Sequence, residues 1–164
     1  MTDMTIRPPA VAGLFYPGDA SSLQSMVDDL LQLAPNFTLQ PKAMLCPHAG
    51  YIYSGNTAAI AYSSLSSFAE RIKKVILLGP AHTIYVKGIA CHPAEYFATP
   101  LGNIPLDNRL REEILDLPFV HNNAQAHEKE HCLEVQLPFC QAVLNDFTLL
   151  PLVVGDSSKE MVIQ

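Results

Sequence analysis

Phe147 to Val154 is the most strongly apolar stretch of the chain, and it is continuous rather than alternating. A strand of that kind has no wet face, so it calls for a sheet with helices packed on both sides. Two further segments share its grammar. Val75-Ile76-Leu77-Leu78 runs into Gly79-Pro80-Ala81-His82, and Ala43-Met44-Leu45-Cys46 runs into Pro47-His48-Ala49-Gly50-Tyr51. Both read as short buried strands, at 75–78 and 42–46, each with a histidine just past its end. A helix beginning near Asn56, with Ala59, Ile60, Leu65 and Phe68 spaced for burial, lies between them. Strand, helix, strand closes right-handed with parallel strands. The expected class is α/β, a mostly parallel central sheet covered by helices on both faces.

The rest of the chain fits that frame. Asp19 or Ser21 caps a first helix, Gln24 stands three after Ser21 as in a capping box, and Leu23, Met26, Val27, Leu30 and Leu31 form its apolar face up to Pro35. Residues 87–105 read as an antiparallel excursion, a hairpin turning at Thr99-Pro100-Leu101-Gly102. Asp107 opens a helix carrying Leu110, Ile114 and Leu115 and stopped by Pro118, and a further helix starts near Leu133. A last helix begins at Ser157 or Ser158, and the chain ends six or seven residues on, at Gln164, so the sequence is read as a single domain over 1–164 truncated at its C-terminus.

At 164 residues with a formal charge of -6, the chain is long enough to bury a core, and its ten basic residues are scattered. That distribution offers no track for a phosphate backbone, so nucleic acid is not an expected partner. No basic n-region precedes an apolar segment, and no run approaches the roughly 18 residues of a membrane span. A cytoplasmic protein without membrane association is expected. Cys46, Cys91, Cys132 and Cys140 form no CxxC pair, which argues against a zinc knuckle or a secreted disulfide framework.

In open α/β sheets ligands bind outside the carboxyl ends of parallel strands, where His48 and His82 would project. Ends of adjacent strands lie about 5 Å apart, close enough for two imidazoles to share one ion. An open catalytic metal site normally has a third protein ligand. His131, Glu134 and Asp156 are the candidates, although each has an ordinary reading: His131 as a turn residue, Glu134 offsetting a helix dipole, Asp156 as a cap. Cys132, flanked by His131 and Glu134, is the better thiol, since a nearby imidazolium lowers a thiol pKa. Tyr51 and Tyr53 alternate along an extended piece beside His48, which aims both to one side and, with Phe15-Tyr16, makes an aromatic rim. Gly50, Gly55 and Gly79 read as turn formers, and none of the three belongs to a phosphate-binding loop.

Five motifs occur in register. They are Arg7-Pro8-Pro9-Ala10-Val11-Ala12-Gly13 with Phe15-Tyr16-Pro17; Pro47-His48-Ala49-Gly50-Tyr51 with Tyr53-Ser54-Gly55; Gly79-Pro80-Ala81-His82; Thr99-Pro100-Leu101-Gly102; and Glu130-His131-Cys132-Leu133-Glu134 with Leu137-Pro138-Phe139. Together, from residue 7 to about 155, the chain resembles the Memo-like family, called protein B of the AmmeMemoRadiSam system in prokaryotes. The resemblance implies a fold similar to class III extradiol dioxygenases, with the first two metal ligands on His48 and His82 and the third beyond residue 164. It also implies that His131 lines the same pocket. Cys132 stands where the family commonly has serine.

Two functions follow from that resemblance. One is a metal-dependent oxidoreductase or dioxygenase-like enzyme, with iron or copper on His48 and His82, His131 as the catalytic acid-base or orienting group, and Tyr51, Tyr53 and Glu134 contacting the substrate. The other is a non-catalytic adaptor that uses the pocket to recognise a peptide, a small molecule or a partner protein of the same system.

Overall fold

The computed structural model describes residues 4–35, 41–156 and 158–159. In chain order its elements are β1 (Ile6–Arg7), α1 (Ala20–Gln32), α2 (Tyr51–Ser63), a 3-10 turn at Ser66–Arg71, β2 (Lys74–Pro80), β3 (Ile89–Cys91), β4 (Tyr96–Thr99), β5 (Gly102–Pro105), α3 (Asn108–Leu115), β6 (Val120–Asn122), α4 (Ala124–Glu128), a 3-10 turn at Glu134–Gln136, α5 (Leu137–Val143) and β7 (Thr148–Val154). The class is α/β. The sheets are mixed rather than mostly parallel. In the four-stranded sheet, ordered β2-β7-β3-β6, β7 runs parallel to β2 and antiparallel to β3, while β3 and β6 are parallel. In the three-stranded sheet, ordered β1-β4-β5, β1 is parallel and β5 antiparallel to β4.

The continuous apolar run forms β7, whose residues from Leu149 to Val153 are all buried. Its neighbour β2 is an edge strand, and the two pair from Lys74↔Thr148 to Pro80↔Val154. Pro80 costs no ladder bond at such an edge. Exposure alternates along β2: Val75 and Leu77 pack on the main core, while Ile76 and Leu78 are 51% and 64% exposed. Helical cover on both faces is therefore incomplete at this strand among the described residues.

Residues 42–46 do not form the expected strand. They run without ladder bonds between Pro41 and Pro47, with Leu45 fully exposed and Cys46 half-buried. An apolar run becomes a strand only where a neighbour offers its backbone edge, and here a crevice separates the run from β2. The following helix also starts earlier than expected. α2 begins at Tyr51 after Gly50, whose carbonyl accepts from the Tyr53 and Ser54 N–H groups at 2.9 and 3.1 Å. The stripe that sets this start is Tyr51, Gly55, Ala58, Ala59 and Tyr62, spaced at helical intervals and buried against α1 and α5.

Other local expectations correspond to observed elements. Asp19 caps α1 by accepting from the Ser22 N–H, Asp107 caps α3 from the Leu110 N–H, and Tyr96–Thr99 pairs with Gly102–Pro105 as a hairpin. β3, however, is inserted between β7 and β6 in the larger sheet instead of lying beside it with the hairpin. Most of the helix expected from Ser157 or Ser158 lies outside the described residues. No described helix is long and apolar enough to cross a membrane.

A candidate metal centre at the end of the edge strand

Three histidines converge from separate segments. His48 precedes the N-terminus of α2, His82 stands two residues past β2, and His131 lies in the loop between α4 and the Glu134–Gln136 turn. Their ring centroids are 5.2 Å apart for His48 and His82, 4.6 Å for His82 and His131, and 5.9 Å for His48 and His131. One ligand nitrogen from each lies within 4.8 Å of the other two. Imidazole nitrogens bound to one ion at about 2.0–2.1 Å stand roughly 3–4 Å apart. A contraction on the order of 1 Å therefore brings the three nitrogens to the separation of ligands on one ion.

Glycine at position 79 makes the convergence possible. A Cβ there would sit 2.4 Å from Cys132 Sγ and 2.9 Å from Leu133 Cδ2, so the 130–133 loop packs directly on the end of β2. That approach carries His131 to His82. The Ala81 N–H donates to the Val154 carbonyl at 3.0 Å and ties the His82 segment to β7.

Glu130 anchors both sides of this junction. Its Oε2 accepts from the His82 backbone N–H at 2.7 Å, and its Oε1 accepts from the His131 and Cys132 N–H groups at 2.9 and 3.0 Å. His82 Nδ1 also lies 2.9 Å from Oε1. Burial pushes the Glu130 carboxyl up, but these backbone and imidazole hydrogen bonds outweigh it and bring the group down to about 2. For His131, burial is the main influence, and with His82 and His48 nearby it keeps the imidazole below its ordinary value despite Glu130. A neutral imidazole is the form that binds metals.

A second grouping, His82 with Glu130 and Cys132, also places its ligand atoms within 4.8 Å of one another. It is the poorer site. Both Glu130 oxygens are already engaged, and burial together with the Glu130 carboxylate raises the Cys132 thiol far above its ordinary value. The expected activation of Cys132 by imidazolium is thus reversed, and its Sγ instead contacts the Pro80 carbonyl at 3.3 Å.

The remaining candidates separate. Tyr51 and Tyr53 occupy the first turn of α2, where neighbours two apart point in different directions. Tyr51 is buried and its hydroxyl donates to the Val135 carbonyl at 2.7 Å, whereas Tyr53 is 82% exposed on the crevice rim. Glu134 is buried away from the crevice, where it pairs with Arg7 and accepts from the Ala10 and Val11 N–H groups at 2.7 and 2.9 Å and the Tyr16 hydroxyl at 2.6 Å. Asp156 pairs through its backbone with Lys87 in an isolated β-bridge, and its side chain accepts from the Tyr85 hydroxyl at 3.3 Å, apart from the histidines. Arg7 and Glu130 carry structural tasks that no spacing signals, since their partners lie 127 and 48 residues away.

The crevice beside the trio measures about 1570 Å³ and runs between residues 41–50 and β2. Phe15, Leu45, His48, Tyr53, Leu78 and His131 are among its lining residues. Phe15 packs on His131 with ring centroids 4.8 Å apart. An apolar cleft with a few convergent polar groups at one end is the usual form of a small-molecule site.

An α/β domain with a histidine cluster past the end of an edge strand matches one family model, that of Memo-like proteins, over residues 7–164. The chain belongs to that family. It is 45% identical over 152 residues to a MEMO1 family protein of Aquifex aeolicus, covering 92% of this chain and 55% of the relative. It is 35% identical over 156 residues to one from Thermoplasma volcanium, covering 94% and 57%. To one from Nitrosopumilus maritimus it is 35% identical over 164 residues, covering 95% and 59%. The chain thus spans between 55% and 59% of the length of these relatives.

Proposed function

We propose that the chain carries a non-haem metal site in which His48, His82 and His131 hold iron or copper. The carrying observation is the meeting of three imidazoles from three segments, two of which, His48 and His131, line an apolar crevice. The metal would supply redox or Lewis-acid chemistry. The residues then divide the work: His48 and His82 bind, His131 completes the nitrogen set or orients a proton at the pocket wall, and Tyr53 and Leu45 meet the entering molecule. Apolar walls favour a small organic molecule or a peptide side chain as the occupant. This is an oxidoreductase of the dioxygenase-like kind, with a fold related to class III extradiol dioxygenases.

A binding function is the second reading, favoured by the exposure of Leu45, Tyr53 and Leu78 along one crevice. Under it, the same walls recognise a peptide or a partner protein of the AmmeMemoRadiSam system. Metal content separates the two. Protein loaded anaerobically with iron(II), and separately with copper, should retain metal after desalting, and a His48→Ala/His82→Ala double variant should lose it. Equal metal in both proteins overturns the metal reading.

A further inference from the structure

We propose that Glu130 is a positioning residue that holds His82 in its Nδ1–H tautomer and so leaves the Nε2 lone pair free for a metal shared with His48 and His131. The inference rests on the metal-site reading above but concerns a residue to which that reading gives no role. A carboxylate only accepts hydrogen bonds. The 2.9 Å contact between His82 Nδ1 and Glu130 Oε1 therefore places the ring proton on Nδ1.

Three observations support this orientation. The Glu130 side chain is 1% exposed while the His82 side chain is 37% exposed, so the imidazole is partly open to solvent while the carboxylate it contacts is not. Glu130 Oε2 also accepts from the His82 backbone N–H at 2.7 Å, so the same carboxylate fixes both ends of the residue. His131 Nδ1 lies 3.4 Å from Oε1, and its backbone N–H donates to that oxygen at 2.9 Å, which links a second histidine of the trio to the same group. Carboxylates placed behind metal-binding histidines fix the tautomer and raise ligand basicity, and their loss costs about 10–100-fold in metal affinity.

The test has two independent readouts. In the first, nitrogen-15 NMR of the metal-free full-length wild type, above the titration of its histidines, should show His82 with a protonated Nδ1 and an unprotonated Nε2. A protonated Nε2, or an averaged pair, overturns the proposal whatever the metal does. In the second, Glu130→Gln should weaken iron(II) binding by about 10–100-fold while secondary structure is retained; equal affinity overturns it. Should that variant fail to fold, the wild-type tautomer decides. A wild type with the Nδ1–H tautomer and no affinity for iron(II) or copper upholds the orientation by Glu130 and overturns the metal reading instead.

Discussion

Arg7 and Glu134, 127 residues apart in the chain, form an ion pair with side-chain exposures of 3% and 1%. Arg7 also donates to the His127 carbonyl at 3.2 and 2.7 Å and to the Glu130 carbonyl at 2.9 Å. The pair thereby clamps the N-terminal arm onto the loop that carries His131. Its two buried charges offset each other.

Removing one partner strands the other. Arg7→Met or Glu134→Gln should each lower stability by about 3–5 kcal/mol, the usual cost of an uncompensated buried charge. Urea unfolding monitored by circular dichroism measures it. A loss below about 1 kcal/mol, the scale of an exposed pair, would show that the clamp does not hold the arm.

Acid should destabilise the protein through two buried histidines. Burial, with Arg7 and Arg111 nearby, lowers His92 to about 4, and burial is likewise the main cause that lowers His127 to about 3. In the unfolded chain both titrate near pH 6.5. The unfolded state thus binds more protons between these values, so stability rises with pH there. The contribution is complete above about pH 6.5 and is lost as pH falls through about 4 and then 3. Urea midpoints taken from about pH 8 down to about pH 4.5 should fall progressively below about pH 6.5. A flat profile would contradict the burial of these rings as neutral groups.

The contact between Gly79 and Cys132 should behave as a coupled pair. Gly79→Ala pushes a methyl to 2.4 Å from Cys132 Sγ and should destabilise by about 1–3 kcal/mol, the range for overpacking. In the Cys132→Ala background the sulfur is gone and much of that penalty should disappear, leaving the Leu133 contact. A double-mutant cycle gives the coupling directly. Strict additivity would mean that the 130–133 loop is not pressed against β2.

Much of this fold is legible residue by residue. The continuous run at 148–154 forms a buried strand, Asp19 and Asp107 cap helices, and Gly102 closes the hairpin with φ +123°. These are local signals, carried by burial pattern, capping chemistry and turn residues. Ala43 to Cys46 had an equally good local signal and makes no strand, because pairing needs a neighbour's edge. Tyr51 and Tyr53 read as an extended pair because alternation over three residues does not distinguish a strand from the first turn of a helix.

The site divides along the same line. His48 and His82, past the ends of two apolar runs, and His131 within its motif are visible in the sequence as the residues with chemistry to offer. That all three meet, that Glu130 contacts His82, and that Glu134 and Tyr51 are withdrawn into the core were decided only by the tertiary structure. Sequence determines what each segment prefers over a few residues, through periodicity, caps and glycines. Convergence depends on contacts such as Gly79 against Cys132 and Arg7 against Glu134, which join segments dozens of residues apart and exist only once the core has closed.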